Sequence, residues 1–103
     1  METQTPTLAI ANEIVRQINV CDRMALMAYG ARKFQALPES KEFQGGIRFL
    51  VNGRTHKSWV LIQLRWVDDY TLIFLSKTGE LVHKIEGIYC DQLVDALDWV
   101  EGK

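Results

Sequence analysis

The chain has 103 residues, with 12 Lys plus Arg against 13 Asp plus Glu, 48% hydrophobic residues, two Pro and two Cys. One domain is the natural reading of that length, and the composition excludes a disordered tail, a collagen-like rod and a disulfide scaffold. No apolar run reaches the roughly 18 residues that a membrane span requires, and Met1 to Thr7 carry neither a basic nor an apolar segment, so no secretory signal and a cytoplasmic setting are expected.

Thr5-Pro6-Thr7 reads as a helix start, with Thr5 as cap and Pro6 where its missing N–H costs nothing. Ile10, Ala11, Ile14, Ile18 and Cys21 then recur at helical spacing, with Asn12, Arg16 and Asn19 opposite, which predicts an amphipathic helix from about residue 6 to 20. Asp22 can cap a short second helix through Met24, Leu26, Met27 and Ala28, ended by Gly30 in a left-handed conformation. A strand over Met24 to Tyr29 is the competing reading. Lys33 to Leu37 forms a short strand, and Pro38-Glu39-Ser40-Lys41 a turn. Phe43, Ile47, Phe49 and Val51 mark a second strand, in which Gly45-Gly46 predicts a bulge.

Asn52-Gly53 is a strong hairpin signal. Trp59 to Trp66 follows as a strand with Val60, Ile62, Leu64 and Trp66 on one face and Trp59, Leu61, Gln63 and Arg65 on the other. Asp68-Asp69 turns the chain into Tyr70 to Leu75, and Lys77-Thr78-Gly79 turns it again into a last strand that begins at Leu81 and ends at Gly87. Tyr89 to Glu101 predicts a second amphipathic helix, with Leu93, Leu97 and Val100 inward and Asp91, Asp95 and Asp98 on the far side. The predicted fold is α+β: an antiparallel meander of four to five strands flanked by N-terminal and C-terminal helices, in the order α-α-β-β-β-β-β-α. If both helices lie on one face, Trp59, Leu61, Ile73 and Leu75 share an exposed apolar face, which marks an interaction protein or a homodimer. If the helices cover opposite faces, nothing of the kind remains.

The charges are unevenly spread along the chain. Residues 14–65 hold nine basic and three acidic residues, and residues 66–103 hold three basic and eight acidic ones. Folding can bring the two blocks together, or each can serve a partner. Cys21 and Cys90 lack metal or redox spacing and read as small buried apolar side chains. Neither pairs with His56 or His83 at a ligand spacing, so no metal and no cofactor is expected. His83 reads as a half-buried strand residue and His56 as a solvent-facing loop residue. Cys90 with His83 and Asp91 is the one local trio with nucleophile, base and acid, and its Cys fits core packing better than a reactive thiol. Glycine spacing for a phosphate loop is absent. Arg48, Arg54, Lys57 and Arg65 interleave with Phe49, Trp59 and Trp66, a pattern that can stack on unpaired bases, although a pI near 6.1 is far from the basic balance of such domains.

Several stretches together carry a resemblance: Ile10 to Ile18, Asp22 to Leu26, Gly30 to Phe34, Val60 to Leu64, Asp69 to Phe74 and Gly87 to Leu93. In these the chain resembles a group of small proteins encoded by phages and other mobile elements. The likeness spans about nine tenths of the chain in short pieces of modest specificity. It departs from the group at Phe34, where an Asn often follows the Lys, and in the loops between strands. The resemblance implies no catalytic residue. It implies a host-cell cytoplasmic, non-enzymatic accessory protein that acts by binding a host or phage protein, with inhibition of a defence system such as a CRISPR effector as the expected role. Two charged groups are the candidate partner-binding residues: Arg23, Arg32 and Lys33 around the glycine step, and the acidic stripe Asp91, Asp95 and Asp98. Direct nucleic-acid binding by the basic, aromatic middle strands is the alternative.

Overall fold

The computed structural model describes residues 6–54 and 56–101. Helix α1 spans Pro6–Cys21 and α2 spans Ala25–Ala28. Five strands follow: β1 (Arg32–Leu37), β2 (Phe43–Leu50), β3 (Trp59–Arg65), β4 (Tyr70–Leu75) and β5 (Leu81–Ile88). They form one antiparallel sheet in sequence order. The chain ends in a 3₁₀ turn (Cys90–Gln92), the short helix α3 (Leu93–Leu97) and a second 3₁₀ turn (Asp98–Glu101). The fold is α+β with a meander sheet. Thr5, the expected helix cap, lies outside the described residues.

α1 forms where its apolar spacing places it. Ala11, Ile14 and Ile18 are buried against the sheet, whereas Asn12, Arg16 and Asn19 are exposed. Tyr70 of β4 donates its hydroxyl proton to Gln17 Oε1 at 2.8 Å and ties the helix to the sheet. Cys21, expected inside, is exposed at the end of α1, one turn past the last buried residue.

The step into β1 follows the local chemistry. The Asp22 carboxylate accepts the Met24 N–H at 3.0 Å and so supports the start of α2, although the residue next to the helix is Met24. Gly30, at φ +66°, donates to the Met27 carbonyl, and Ala31 donates to the Leu26 carbonyl. This Schellman pair satisfies carbonyls that the helix end leaves open, and it needs the left-handed residue that glycine supplies without strain.

One face of the sheet is the core face. The rows Ala36–Ile47–Ile62–Leu72–Ile85 and Phe49–Val60–Phe74–His83 run across it in register. Ile47, Phe49, Val60, Ile62, Leu72 and Phe74 are buried, together with Ile14, Ile18, Leu93 and Leu97 from the helices, in one cluster. Each such side chain contributes about 1.5–3 kcal/mol of burial.

Four expectations are corrected. The β2–β3 connection is not a two-residue Asn-Gly turn but spans residues 51–58, with Val51 donating to the Ser58 carbonyl and Gly53 to the His56 carbonyl. The reason is tertiary: Val51, His56 and Ser58 are buried, and the His56 N–H reaches the Val100 carbonyl. His56 therefore does not face water. Trp66 leaves the strand at Arg65, stays half exposed, and donates its indole N–H to the Ser40 carbonyl at 3.1 Å. β5 does not stop at Gly87, because this glycine, at φ +72°, forms part of a bulge and the strand continues to Ile88.

The C-terminal segment buries Leu93, Leu97 and Val100 as its spacing requires, but it is not one continuous helix. It winds as 3₁₀, α and 3₁₀ in turn; the tighter 3₁₀ turns rise more per residue and draw the segment out, and both Trp99 and Val100 meet the β2–β3 loop. Asp98 is correspondingly not on the far side with Asp91 and Asp95. It is half-buried, and its Oδ1 accepts the hydroxyl of buried Tyr29 at 2.7 Å.

Candidate functional site

The second face of the sheet carries no helix. α1 packs on β1 and β2, and α3 on β5 and α1, all through the core cluster described above. None of the side chains on the opposite face belongs to that cluster. The register builds this face in rows: Leu50, Trp59 and Leu75; then Gln35, Arg48, Leu61, Ile73 and Lys84; then Leu37, Gln63 and Thr71. An antiparallel sheet with one covered face usually turns polar side chains to water on the other. Here the face is apolar around Leu61 and Ile73 and, in the row at the start of β3, around Trp59, and Leu50, Trp59, Leu61, Ile73 and Leu75 are half-buried.

The sheet edges are blunted in the way that discourages strand addition. β1 shifts register between Arg32 and Gln35, where Lys33 takes φ +58°. β5 shifts register near both ends and carries Lys84 on its open side. The fold thus protects its edges and leaves an apolar face bare.

Two of the cations on this face are held in ion pairs, and Arg48 is not. Arg65 and Asp69 form a bidentate ion pair, Nε to Oδ1 at 2.5 Å and Nη2 to Oδ2 at 2.8 Å. Lys84 Nζ lies 3.3 Å from Glu86 Oε2. Arg48 lies 4.7 Å over the Trp59 ring and donates its Nε–H to Gln35 Oε1 at 2.5 Å. Among the described residues no carboxylate lies within ion-pair reach of Arg48. At the Arg65 end the face falls into a hollow of about 480 Å³, lined by Phe43, Arg65, Trp66 and Val67 and by the charged residues Lys41, Glu42, Lys84 and Glu86.

The hydrogen bonds from Arg65, with its charge, hold the Asp69 carboxyl below the usual carboxylate value. A depressed folded-state value means that the pair stabilises the fold fully above the unfolded Asp value of about 3.9, and that this contribution is lost as pH falls through the lower folded value. Urea midpoints of the wild type and Asp69→Asn are expected to differ at neutral pH and to converge in acid. A difference that is constant or grows on acidification would show that the pair contributes nothing through its charge.

The charged residues singled out from the sequence lie elsewhere, apart from Arg32. Arg23 precedes α2, Arg32 and Lys33 open β1, and all three are exposed without a contact that joins them into one site. Arg32 stands opposite Leu50 in register, at a corner of the open face. Asp91 lines a separate hollow of about 240 Å³ with Arg16, Gln17, Val20 and Cys21, and Asp95 is exposed on α3. Asp98 is engaged by Tyr29. The sequence reading placed Trp59, Leu61, Ile73 and Leu75 together, as the register does, but left out Leu50 and named Arg48 only in a base-stacking pattern with Trp59, not as part of this face. Their signal is the alternation against Ile47 and Phe49 in β2.

Of the expected trio of His83, Cys90 and Asp91, the Cys90 side chain lies outside what the structure describes, and His83 is engaged in aromatic packing. The His83 ring stacks on Trp99, centroids 4.4 Å apart, and lies against Phe74 on the core face. His56 packs edge-on against Phe74 and donates its Nε2–H to the Trp59 carbonyl, 3.0 Å away. Both imidazoles therefore pack in an aromatic cluster around Trp99. Among the described residues, no three His, Cys, Asp or Glu side chains converge on a point that could hold a metal ion. Phe49 is buried on the core face and Trp66 sits in a turn, so of the three aromatic residues of the basic stretch only Trp59 lies in the open face rows; Phe43, opposite Arg65, adds a ring at the far end. Compared with known proteins, the chain matches no family model, no curated sequence and no solved structure.

Proposed function

We propose that this chain is a non-enzymatic binding protein and that the open sheet face takes its protein partner. The observation that carries the reading is the half-buried apolar row Leu50–Trp59–Leu75 with Leu61 and Ile73 beside it, outside the core cluster and under no helix, on a sheet whose edges are bulged. A contiguous apolar patch rimmed by charges is the usual mark of an interaction site, and Trp and Arg are the side chains that most often dominate one. The likeness to accessory proteins of phages and mobile elements supports a host-cell protein as the target, with a defence effector such as a CRISPR nuclease as the role that the likeness implies. Binding of nucleic acid is the second reading, favoured by Arg48 stacked on Trp59.

Host lysate passed over the immobilised chain tests the choice of surface. The wild type is expected to retain a discrete protein in stoichiometric amount. Trp59→Asp, with an unchanged circular dichroism spectrum, is expected to retain less than about a tenth of it, as loss of a central aromatic anchor costs 2 kcal/mol or more. Charge reversal at Asp91 and Asp95, or at Arg23 and Lys33, is expected to leave retention unchanged. Retention that survives Trp59→Asp and disappears with either reversal assigns the surface to the charged groups instead.

A further inference from the structure

We infer that the segment received by the open face brings a carboxylate to Arg48, flanked by apolar side chains that lie on the Leu50–Trp59–Leu75 and Leu61–Ile73 rows; the inference rests on the reading of that face as the docking surface. The argument is one of charge complementarity. Two carboxylates of the face are already engaged, Asp69 by Arg65 and Glu86 by Lys84, and Glu42 stands apart at the hollow beside Arg65. The guanidinium of Arg48, in the middle row, has an amide and an indole ring for neighbours and no anion. A guanidinium covered by a partner without a counter-charge is costly, whereas a carboxylate in its fork makes two charge-assisted hydrogen bonds. Gln35 and the Trp59 ring hold the fork in place before binding, so little side-chain freedom remains to be lost.

The same inventory disfavours the other occupants. A second copy laid face to face brings apolar rows and another Arg48, with Asp69 and Glu86 engaged in their own pairs and only Glu42, at the rim of the hollow, left to meet it. A single strand of nucleic acid needs several free cations along its phosphates and several rings for its bases; the rows of this face offer one unpaired cation in their middle, over Trp59, and the other ring in register, Phe43, stands at the opposite end beside Arg65, whose charge is paired.

A displayed library of random peptides, selected on the full chain, reads the preference directly. Peptides with an Asp or Glu between apolar residues are expected to be enriched. Arg48→Gln is expected to weaken the best of them at least about tenfold, and added salt to weaken them further. Arg48→Glu is expected to reverse the preference towards Lys and Arg. Enriched peptides that lack a carboxylate, or that bind Arg48→Gln as well as the wild type, overturn the inference while leaving the face as a docking surface if Trp59→Asp still abolishes them. Peptides indifferent to Trp59→Asp overturn both. Two further results overturn the inference in favour of another occupant: a dimer in sedimentation that Trp59→Asp dissociates, and a low-salt shift of single-stranded DNA that Arg48→Gln removes.

Discussion

Phe74→Ala is expected to lower the stability of this protein by about 3–5 kcal/mol, the range for removing a large buried aromatic side chain. Phe74 is fully buried in β4 and lies opposite Val60 and His83 in register. Its ring meets His56, His83 and Trp99, with centroids 5.5, 5.6 and 4.7 Å away, so three elements lean on one side chain: the β2–β3 loop, β5 and the C-terminal turn. None of these can close the vacancy without giving up contacts of its own, which places the cost high in the range. Ile73, the adjacent residue, points to the bare face and is half-buried. Ile73→Ala is expected to cost about 1 kcal/mol, in keeping with the smaller area it removes from water. Urea denaturation of the two variants measures the contrast between the faces. Equal losses would mean that something other than its neighbours covers the second face. As domains hold about 5–15 kcal/mol in total, the Phe74 variant is also expected to populate unfolded chains near physiological temperature.

Gly46→Ala is expected to cost about 3 kcal/mol, at the upper end of the usual range for overpacking. A Cβ at this position would overlap the Ile62 carbonyl oxygen and come within 2.9 Å of the Gln63 Cα. Both obstacles are backbone atoms of β3, so no rotamer change relieves the clash. β2 would have to move away from β3 along the pairing that runs from Phe43 to Leu50, and each ladder hydrogen bond lost costs about 0.5–1.5 kcal/mol. The expected signature is a lower urea midpoint together with faster hydrogen exchange at Ile47 and Ile62. A variant as stable as the wild type would mean that β2 and β3 lie further apart here than the structure places them. The strand irregularity between Phe43 and Gly45 shows why the chain carries two glycines here, since the bulge turns Gly45 towards Ile10 of α1 and Gly46 towards β3.

The two results bear on the proposed function through the same division of the sheet. A face that carries Phe74, Phe49 and Val60 supplies stability, and the face that carries Trp59, Leu61 and Ile73 remains free for a partner. Substitutions on the second face are therefore expected to separate binding from folding.

Much of this fold was legible without coordinates. Ile14 and Ile18 stand at helical spacing, and Val60 and Ile62 alternate with Leu61 and Gln63; these patterns define α1 and β3 because each is set by the geometry of the local backbone. Gly30 and Gly45-Gly46 announced a helix end and a bulge for the same local reason. Local signals failed where distant residues intervene. Asn52-Gly53 is a good two-residue turn by itself, but burial of Val51 and His56 and the close approach of Gly53 to Val100 stretch the connection to residues 51–58. Asp98 continues an acidic stripe on a helical projection, yet Tyr29, 69 residues away, takes it into the interior.

The candidate site shows the same boundary. Alternation along β3 and β4 was enough to set Trp59, Leu61, Ile73 and Leu75 on one face, because side chains of a strand point up and down in turn. It left open whether a helix lies over them, as the periodicity of α1 and of the C-terminal segment shows that each buries one stripe and not what the stripe is buried against. The tertiary structure decided that both pack on the face of Phe49, Val60 and Phe74. It also decided that Arg48 stands over Trp59 without a counter-charge, because ion pairing depends on which strands become neighbours and in what register, a relation between residues far apart in the chain.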